Sequence, residues 1–268
     1  MSTQSKSGLG VAVVTGASSG IGKVYADRFA KRGYDLLLVA RRKERLEELS
    51  RELQQKYGVK VEILVADLAN YADLERVSKV LASDENITVL VNNAGVGDLK
   101  PTNVLTRDSV NSLIDVNNKA VTHLTLAVLP NFTKRDSGTI INLGSILSFF
   151  ALPISSVYSA TKAFLAIFTI GLRDELAKTG VKVQLVLPAA TATEIWELSG
   201  IPVAALDPKT VMMVDHCVDA ALAGLDQGET ITYPSVEDFS SWTDFDAARG
   251  KLFMAGQNGT PASRYGLK

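Results

Sequence analysis

Short apolar runs alternate with longer amphipathic stretches along this chain of 268 residues. This alternation constrains the possible folds more than any other feature of the sequence. Most of the runs are uninterrupted, as expected for parallel strands that are buried on both faces. Strands that alternate with helices indicate a doubly wound α/β fold, a seven-stranded parallel sheet with helices on both faces in three αβα layers. The strand candidates are residues 11–14, 36–39, 61–65, 87–91, 139–143, 181–187 and 230–233.

Helical patterns fill the intervals between these runs. Gly33, Gly58 and Gly180 lie where a helix is expected to stop, because glycine readily adopts the left-handed conformation that ends many helices. The predicted helices cover about 20–32, 43–57, 71–82, 106–134 and 156–179.

The domain organisation is predicted to be simple. No proline-rich or low-complexity linker interrupts the sequence, so we expect a single domain over residues 1–268 with its core at about 9–233. A loop of about 190–212 follows the sixth strand candidate. The tail, about 236–268, has one helical candidate near 236–254, and we expect its end to be exposed or to pack on another subunit.

Charge and cysteine content exclude several classes of function. The net charge is −1 with acids and bases mixed along the chain, so there is no basic field for a nucleic acid or an anionic membrane. Cys217 is the only cysteine, which excludes an intramolecular disulfide and a cysteine-based zinc cluster. The first residues are too poor in apolar side chains for a signal sequence or a membrane span, and we expect a cytoplasmic protein.

A glycine-rich segment, "TGASSGIG" at Thr15–Gly22, joins the first strand candidate to the first helix. Its glycines suit a tight turn, a close approach of the backbone to a phosphate, and close packing of helix on sheet. The helix N-terminus would offer amide groups to a pyrophosphate. A P-loop is excluded because Lys23 is followed by Val24, and a plain turn is the alternative to a dinucleotide site.

The spacing of these glycines resembles the T-G-x-x-x-G-x-G loop of the short-chain dehydrogenases/reductases, and the match extends from about residue 9 to 233. The resemblance implies a Rossmann-type fold and a nicotinamide cofactor. It also implies a homodimer or homotetramer that pairs through helices 106–134 and 156–179. The loop residues that would contact the cofactor are Gly16, Ser18, Ser19, Gly20, Ile21 and Gly22.

The end of the second strand candidate, "LLLVARRKER", indicates which cofactor is used. Ala40 stands where family members that prefer NAD carry Asp, and Arg41 and Arg42 follow. A guanidinium pairs well with a 2′-phosphate, so NADP(H) is favoured over NAD(H), with Arg41 as the preferred partner. The alternative is that both arginines only begin a charged, solvated helix.

Two further strand ends resemble the cofactor contacts of the family. "VADL" ends with Asp67 and Leu68, where the aspartate would hydrogen-bond the adenine; it could also serve as a helix N-cap. "NNAG" at 92–95 resembles the adenine-side motif, although such residues also form ordinary turns. Its predicted cofactor contacts are Asn93, Ala94 and Gly95.

The loop after the sixth strand candidate departs from the family pattern. The family usually has Pro-Gly followed by a threonine, whereas here Pro188 precedes Ala189. By the resemblance, Pro188 and either Thr191 or Thr193 would contact the cofactor, and the sequence does not decide between the threonines.

Tyr158 and Lys162 in "YSATK" are four residues apart in a helical pattern, so both lie on one face. An ammonium group beside a phenol favours the phenolate, and we expect Lys162 to lower the pKa of Tyr158. Ser145 ends the fifth strand candidate, at the sheet edge where such folds bind ligands. The family's catalytic pattern has Ser, Tyr and Lys at these separations and its asparagine at Asn117, with Asn118 as the neighbour to exclude.

These residues imply an oxidoreductase acting on the carbonyl or secondary alcohol of a small molecule. Ser145 would polarise the oxygen and Tyr158 would act as the general acid or base. Tyr158 and Lys162 would also contact the cofactor, the lysine at the nicotinamide ribose. No metal is expected. A non-catalytic dinucleotide-binding regulator and a methyltransferase are the alternatives. Several apolar residues in the loops around the expected substrate site suggest an apolar substrate, although they could instead form the core of a loop or a subunit contact. They are Phe149, Phe150, Leu152, Trp196, Leu198 and Ile201.

Overall fold

The computed structural model describes residues 8–199 and 201–267, and its centre is one sheet of seven strands. The strands are β1 Val11–Thr15, β2 Asp35–Ala40, β3 Val61–Val65, β4 Ile87–Asn92, β5 Gly138–Leu143, β6 Val181–Val186 and β7 Ile231–Thr232. Their order is β3-β2-β1-β4-β5-β6-β7, and every neighbouring pair is parallel. The predicted seven-stranded parallel sheet is confirmed.

Helices cover both faces of this sheet. Their bounds are α1 Gly20–Lys31, α2 Lys43–Tyr57, α3 Tyr71–Ser83, α4 Arg107–Ile114, α5 Val121–Lys134, α6 Ser156–Glu175, α7 Ile195–Leu198, α8 Val214–Asp226 and α9 Ser240–Gly256. Buried residues of α1, α2 and α8 pack on one face, and those of α3, α5 and α6 pack on the other. The three-layer, Rossmann-type arrangement is therefore confirmed.

Two helical regions differ from the sequence prediction. A π-helical segment, Asp115–Ala120, joins α4 to α5, so the predicted helix 106–134 has a wider turn at its centre. Helix α8 was not predicted, although Cys217, Val218, Ala221 and Leu222 are buried at helical spacing. The sequence thus carried a signal for α8, which lies between the irregular loop and the last strand.

The three glycines expected to end helices serve two different purposes. Gly33 and Gly58 have φ angles of 92° and 72°, the left-handed conformation that follows a helix end. Gly180 does not end α6, which stops at Glu175. A Cβ at Gly180 would lie 2.1 Å from the carbonyl oxygen of Asp136, so the position requires glycine because two backbone segments approach closely.

The described residues fall into two compact units, one extending to Pro234 and the other formed by Ser235–Lys268. The boundary lies close to the predicted start of the tail, and a single domain over 1–268 stays a prediction. Within the second unit, α9 begins four residues later than the predicted helix 236–254. Residues 1–7 of the predicted domain, Gly200 of the predicted loop 190–212, and residue 268 lie outside the described residues. No described helix is both long and apolar enough to cross a membrane.

The strand order creates a crevice at the carboxyl ends of β1 and β4. The chain moves outward from β1 to β2 and β3, and then returns to place β4 on the other side of β1. Open α/β sheets bind their ligands at such a switch point, because the loops that follow the two strands lead in opposite directions. The predicted site residues follow the strands that flank this crevice.

Candidate active site

The glycine loop between β1 and α1 forms one wall of the crevice. Gly16 and Gly20 have φ angles of 66° and 53°, which other residues rarely adopt. Helix α1 begins at Gly20, and the side chain of Ser19 does not cap its first amide groups. These amide groups and the positive end of the helix dipole suit the pyrophosphate of a dinucleotide.

Gly22 makes the closest backbone approach in this loop. A Cβ there would lie 2.4 Å from the carbonyl oxygen of Gly16 and 2.5 Å from Nδ2 of Asn93. The loop is therefore folded back on its own helix and on the end of β4 without room for a side chain. Such a tight cradle of main-chain groups fits a dinucleotide and is more than an ordinary turn requires.

Replacing Gly22 with alanine should widen this cradle. We expect the free energy of unfolding to fall by about 1–3 kcal/mol, as for other overpacked sites, and nucleotide affinity to fall with it. Gly250→Ala is the matched control in another helix, because among the described residues no atom outside that stretch of helix lies within 4 Å of a Cβ at that position. Urea unfolding and an NADPH titration measure both effects, and a G22A variant equal to G250A in both would contradict this account.

Thr15 connects the glycine loop to the "NNAG" segment. Its hydroxyl donates to the carbonyl of Val91 at 3.1 Å and accepts from the amide groups of Asn93 and Ala94 at 3.0 and 2.9 Å. Nδ2 of Asn93 in turn donates to the carbonyl of Thr15 at 2.8 Å. Asn93 and Ala94 thus fix the shape of the cofactor wall, and Thr15 is a residue that the sequence prediction missed.

The two arginines after β2 point in different directions. Arg42 donates to Oγ of Ser18 at 3.0 and 3.1 Å and to Oγ of Ser19 at 2.6 Å, whereas Arg41 is exposed and lies 3.9 Å from a carboxylate oxygen of Asp67. Sequence reasoning favours Arg41, but the geometry favours Arg42 as the cation next to the glycine loop. Arg42 also pairs with Glu194, which sequence reasoning did not single out.

Asp67 and Leu68 lie at the end of β3, as predicted. The Asp67 carboxylate accepts from the amide group of Ala69 at 3.0 Å, and it does not cap α3, because Asn70 is the N-cap. Leu68 is only 5% exposed, so it belongs to the core. The adenine contact of Asp67 stays a prediction.

The threonines after β6 differ in their surroundings. Thr191 is buried and its hydroxyl donates to the carbonyl of Ala189 at 3.1 Å. The side chain of Thr193 reaches the glycine loop, where its Cγ2 would lie 3.1 Å from a Cβ at Gly20. The carbonyl of Pro188 accepts from the amide of Ile146 at 3.0 Å and so links this loop to the end of β5. Of the two threonines, Thr193 is the one placed at the crevice.

Ser145, Tyr158 and Lys162 come together where β5 ends and α6 begins. The Ser145 hydroxyl hydrogen-bonds the Tyr158 hydroxyl and also accepts from the amide of Leu147 at 3.1 Å. Nζ of Lys162 donates to the carbonyl of Leu143 at 2.8 Å and lies 5.8 Å from the centre of the Tyr158 ring. The predicted one-turn spacing thus places both α6 side chains at the same strand end.

The pKa of Tyr158 is not lowered in this arrangement, contrary to the sequence expectation. Burial raises the pKa of Tyr158 to about 12, and the hydrogen bond from Ser145 lowers it by a smaller amount. Burial also lowers the pKa of Lys162 to about 8. The ammonium group is held by the Leu143 carbonyl beside the ring, so desolvation outweighs the attraction between lysine and phenolate.

Asn117 and Asn118 hold α6 in place from the π-helical segment. Nδ2 of Asn117 donates to Oγ1 of Thr161 and to the carbonyl of Val96, both at 3.0 Å. Nδ2 of Asn118 donates to the carbonyl of Thr161 at 2.8 Å. The wide π turn lets two consecutive amides reach Thr161, which lies between Tyr158 and Lys162. Asn117 also lies close to Gly95 and the lysine, because a Cβ at Gly95 would be 3.4 Å from its Oδ1 and 3.7 Å from Nζ of Lys162.

The apolar residues expected near the substrate differ in their exposure. Phe150, Leu152 and Leu198 are 68%, 41% and 76% exposed, whereas Phe149, Trp196 and Ile201 are partly buried. Helix α7 lies against the loop after β4, since a Cβ at Gly97 would meet Oγ of Ser199 at 2.8 Å. Among the described residues, no group of three or more His, Cys, Asp or Glu side chains could hold a metal ion.

The sequence matches a family model for short chain dehydrogenases over residues 10–200. The chain belongs to the short-chain dehydrogenase family. The resemblance read from the glycine loop and from the Tyr158–Lys162 pair is thereby confirmed.

Two solved structures of this family are similar to this short-chain dehydrogenase along almost the whole chain. A short-chain dehydrogenase from Sphingobium yanoikuyae in complex with NADPH is 44% identical, with a TM-score of 0.93 over 96% of this chain and 99% of that chain. A bulky-bulky ketone specific alcohol dehydrogenase from Comamonas testosteroni is 38% identical, with a TM-score of 0.87 over 96% and 98% of the two chains.

A curated relative is similar over a shorter part. The very-long-chain 3-oxoacyl-CoA reductase from Anas platyrhynchos is 37% identical over 198 residues, which are 72% of this chain and 63% of that protein. The chain therefore spans less than two thirds of the length of the curated relatives it matches. The curated relatives it matches are reductases and dehydrogenases.

Proposed function

We propose that this protein is an NADP(H)-dependent oxidoreductase that transfers hydride between the nicotinamide cofactor and the carbonyl or secondary alcohol of an apolar small molecule. The observation that carries this proposal is the hydrogen-bonded pair of Ser145 and Tyr158, with Lys162 one helical turn away. A non-catalytic regulator on the same fold would need none of these three side chains. Their convergence at the ligand edge of the sheet supports an enzyme.

The residues around the crevice fit a nicotinamide dinucleotide. The main-chain cradle of Gly16, Gly20 and Gly22 would hold its pyrophosphate, and Arg42 with Ser18 lies where a 2′-phosphate would bind next to that loop. When bound, the cofactor supplies or accepts the hydride, and the protein supplies the proton and the polarising groups. Neighbours in complex with NADPH and NADP⁺ support this choice of cofactor.

Proton transfer is assigned to Tyr158. Its hydroxyl is protonated at neutral pH, since burial raises its pKa to about 12, and it can therefore donate a proton to the oxygen of a carbonyl that is being reduced. Ser145 can donate a second hydrogen bond to the same oxygen and stabilise its developing charge. The Lys162 ammonium group can stabilise the phenolate that remains, because a nearby cation favours the charged form.

The preference for NADP(H) can be tested at the two arginines. Arg42→Ala should weaken NADPH binding by about 10- to 100-fold, as expected for losing a charge-assisted contact to phosphate, and should leave NADH binding nearly unchanged. Arg41→Ala, the matched control from the neighbouring position, should have a much smaller effect because Arg41 faces solvent and Asp67. Fluorescence titrations with both nucleotides measure this, and a larger effect of R41A would restore Arg41 as the partner.

The substrate is proposed to be an apolar ketone with bulky groups on both sides of the carbonyl. The exposed Phe150 and Leu152, in the segment between Ser145 and Tyr158, and the exposed Leu198 of α7 support it, as does the similarity to the bulky-bulky ketone specific enzyme. A panel of aryl and alkyl ketones, aldehydes and 3-oxoacyl thioesters, followed by NADPH absorbance, tests the function. Turnover of none of them would overturn the enzymatic assignment, and turnover of thioesters alone would replace the ketone.

A homodimer or homotetramer is proposed for the assembly. Leu126 of α5 and Phe164 and Ile167 of α6 are 59%, 47% and 54% exposed. Large apolar side chains that are exposed together on helix surfaces are typical of subunit contacts. Light scattering of the purified protein determines the assembly directly.

A further inference from the structure

Glu194 connects the loop after β6 to the cation beside the glycine loop. Its two carboxylate oxygens accept from Arg42 and from Arg45, each at 2.6 Å. Both arginines belong to the β2–α2 region, whereas Glu194 immediately precedes α7. The three side chains are partly exposed, with values of 39% to 47%, so the pairs can exchange for other partners.

The Arg42 guanidinium donates hydrogen bonds both to serine hydroxyls and to a carboxylate. Its Nε and Nη2 groups face the hydroxyls of Ser18 and Ser19, and its Nη1 group faces Glu194. A 2′-phosphate next to Ser18 would bring up to two negative charges to the same guanidinium that already carries the carboxylate. The two anions would then lie within a few ångströms of each other and repel.

We propose that Glu194 competes with the 2′-phosphate of NADP(H) for Arg42, so that binding of the phosphorylated cofactor releases the loop that carries α7. This inference rests on the proposed function, because it takes the 2′-phosphate to bind at Arg42. Glu194 would then be a specificity-determining residue outside the predicted site. Its contact with Arg42 would couple the choice of cofactor to the loop that carries α7.

The loop has few other bonds to the β2–α2 region. Elsewhere it is held by contacts near β6 and α8: the Nε1 group of Trp196 donates to the carbonyl of Thr191 at 2.9 Å, and the amide of Ala192 donates to the carbonyl of Met212 at 2.9 Å. Releasing Glu194 would therefore remove the contact of this loop with the β2–α2 region, while its contacts near β6 and α8 and with the loop after β4 stay in place. Trp196 lies two residues from Glu194, so its surroundings should report this change.

The test measures binding of adenosine 2′,5′-bisphosphate and of AMP, which differ only in the 2′-phosphate and carry no nicotinamide. Glu194→Gln removes the carboxylate charge and should tighten binding of the bisphosphate by about fivefold, the scale of an exposed ion pair, with AMP binding unchanged. Glu197→Gln is the matched control, since Glu197 lies in the same loop and accepts only from the amide of Val203 within the described part of the chain. It should leave both affinities within about twofold.

A second readout follows the loop itself. The protein has two tryptophans, so Trp242→Phe makes Trp196 the only emitter. The bisphosphate should shift the emission of Trp196 in this background and AMP should not, and E194Q should show the shifted emission before any ligand is added. Unchanged or weaker bisphosphate binding in E194Q would overturn the inference. A wild type that binds both ligands equally would instead overturn the proposed choice of cofactor.

Discussion

Replacing Tyr158 with phenylalanine should lower kcat/KM for ketone reduction with NADPH by about a thousandfold, within the range that general acid catalysis contributes. The substitution removes only the hydroxyl that hydrogen-bonds Ser145 and keeps the ring on α6. Without this hydroxyl the carbonyl oxygen would have to take its proton from water. Because the ring remains, the affinity for NADPH should change little.

The matched control is Tyr71→Phe, at an exposed tyrosine that begins α3. It should retain full activity, and both variants should unfold at the temperature of the wild type. Ser145→Ala should show a smaller loss, about 10- to 100-fold, since it removes one hydrogen bond to the developing charge and not the proton. A Y158F variant within a few-fold of the wild type would exclude Tyr158 as the proton donor.

The strands could be predicted from the sequence almost to the residue. Parallel strands buried on both faces have to be apolar throughout, and each interval between them is long enough for a helix. Seven of the predicted strand ranges therefore agree with the structure within one residue at either end. The residues proposed to be catalytic stand out in the sequence because they follow such strands or lie one helical turn apart, as Ser145, Tyr158 and Lys162 do.

The choice between Arg41 and Arg42 could not be made from the sequence. Both follow β2, and their side-chain directions depend on backbone angles that no motif encodes. Arg42 is the N-cap of α2 with φ −88° and ψ 93°, and this extended conformation accompanies the turn of its guanidinium towards Ser18. Glu194 is 152 positions away from Arg42 along the chain, so its contact with that guanidinium exists only in the folded protein.

The π-helical segment and the pKa values depend on three-dimensional packing. Asn117 and Asn118 are consecutive in the π-helical segment, and both donate to Thr161, one to its hydroxyl and one to its carbonyl, a pairing that no sequence motif indicates. The sequence shows that the charge of Lys162 lies one helical turn from Tyr158, but it does not show that both groups are buried away from water. Burial opposes the charged forms of both, and this is the larger effect.

Replacing Lys162 with methionine should lower kcat/KM for ketone reduction by about a hundredfold, because the phenolate left on Tyr158 would lose its neighbouring cation. The side chain is 7% exposed, and methionine fills a similar volume without a charge. In the wild type the rate should be constant at lower pH and fall as pH rises through about 8, where Lys162 loses its proton. K162M should lack this decrease. A lysine with a purely structural role would not produce such a difference between the two pH profiles.

The pH dependence of the free energy of unfolding gives an independent measure of the pKa of Lys162. Since burial lowers the pKa of Lys162 from 10.5 to about 8, the unfolded chain binds a proton between these values that the folded protein has lost. The free energy of unfolding of the wild type, relative to K162M, should therefore rise from about pH 8 to 10.5 and be constant below that range. Urea unfolding across this range measures the difference. If the two proteins kept the same difference at every pH, Lys162 would not be the group that titrates near pH 8, and the decrease in rate would belong to another residue.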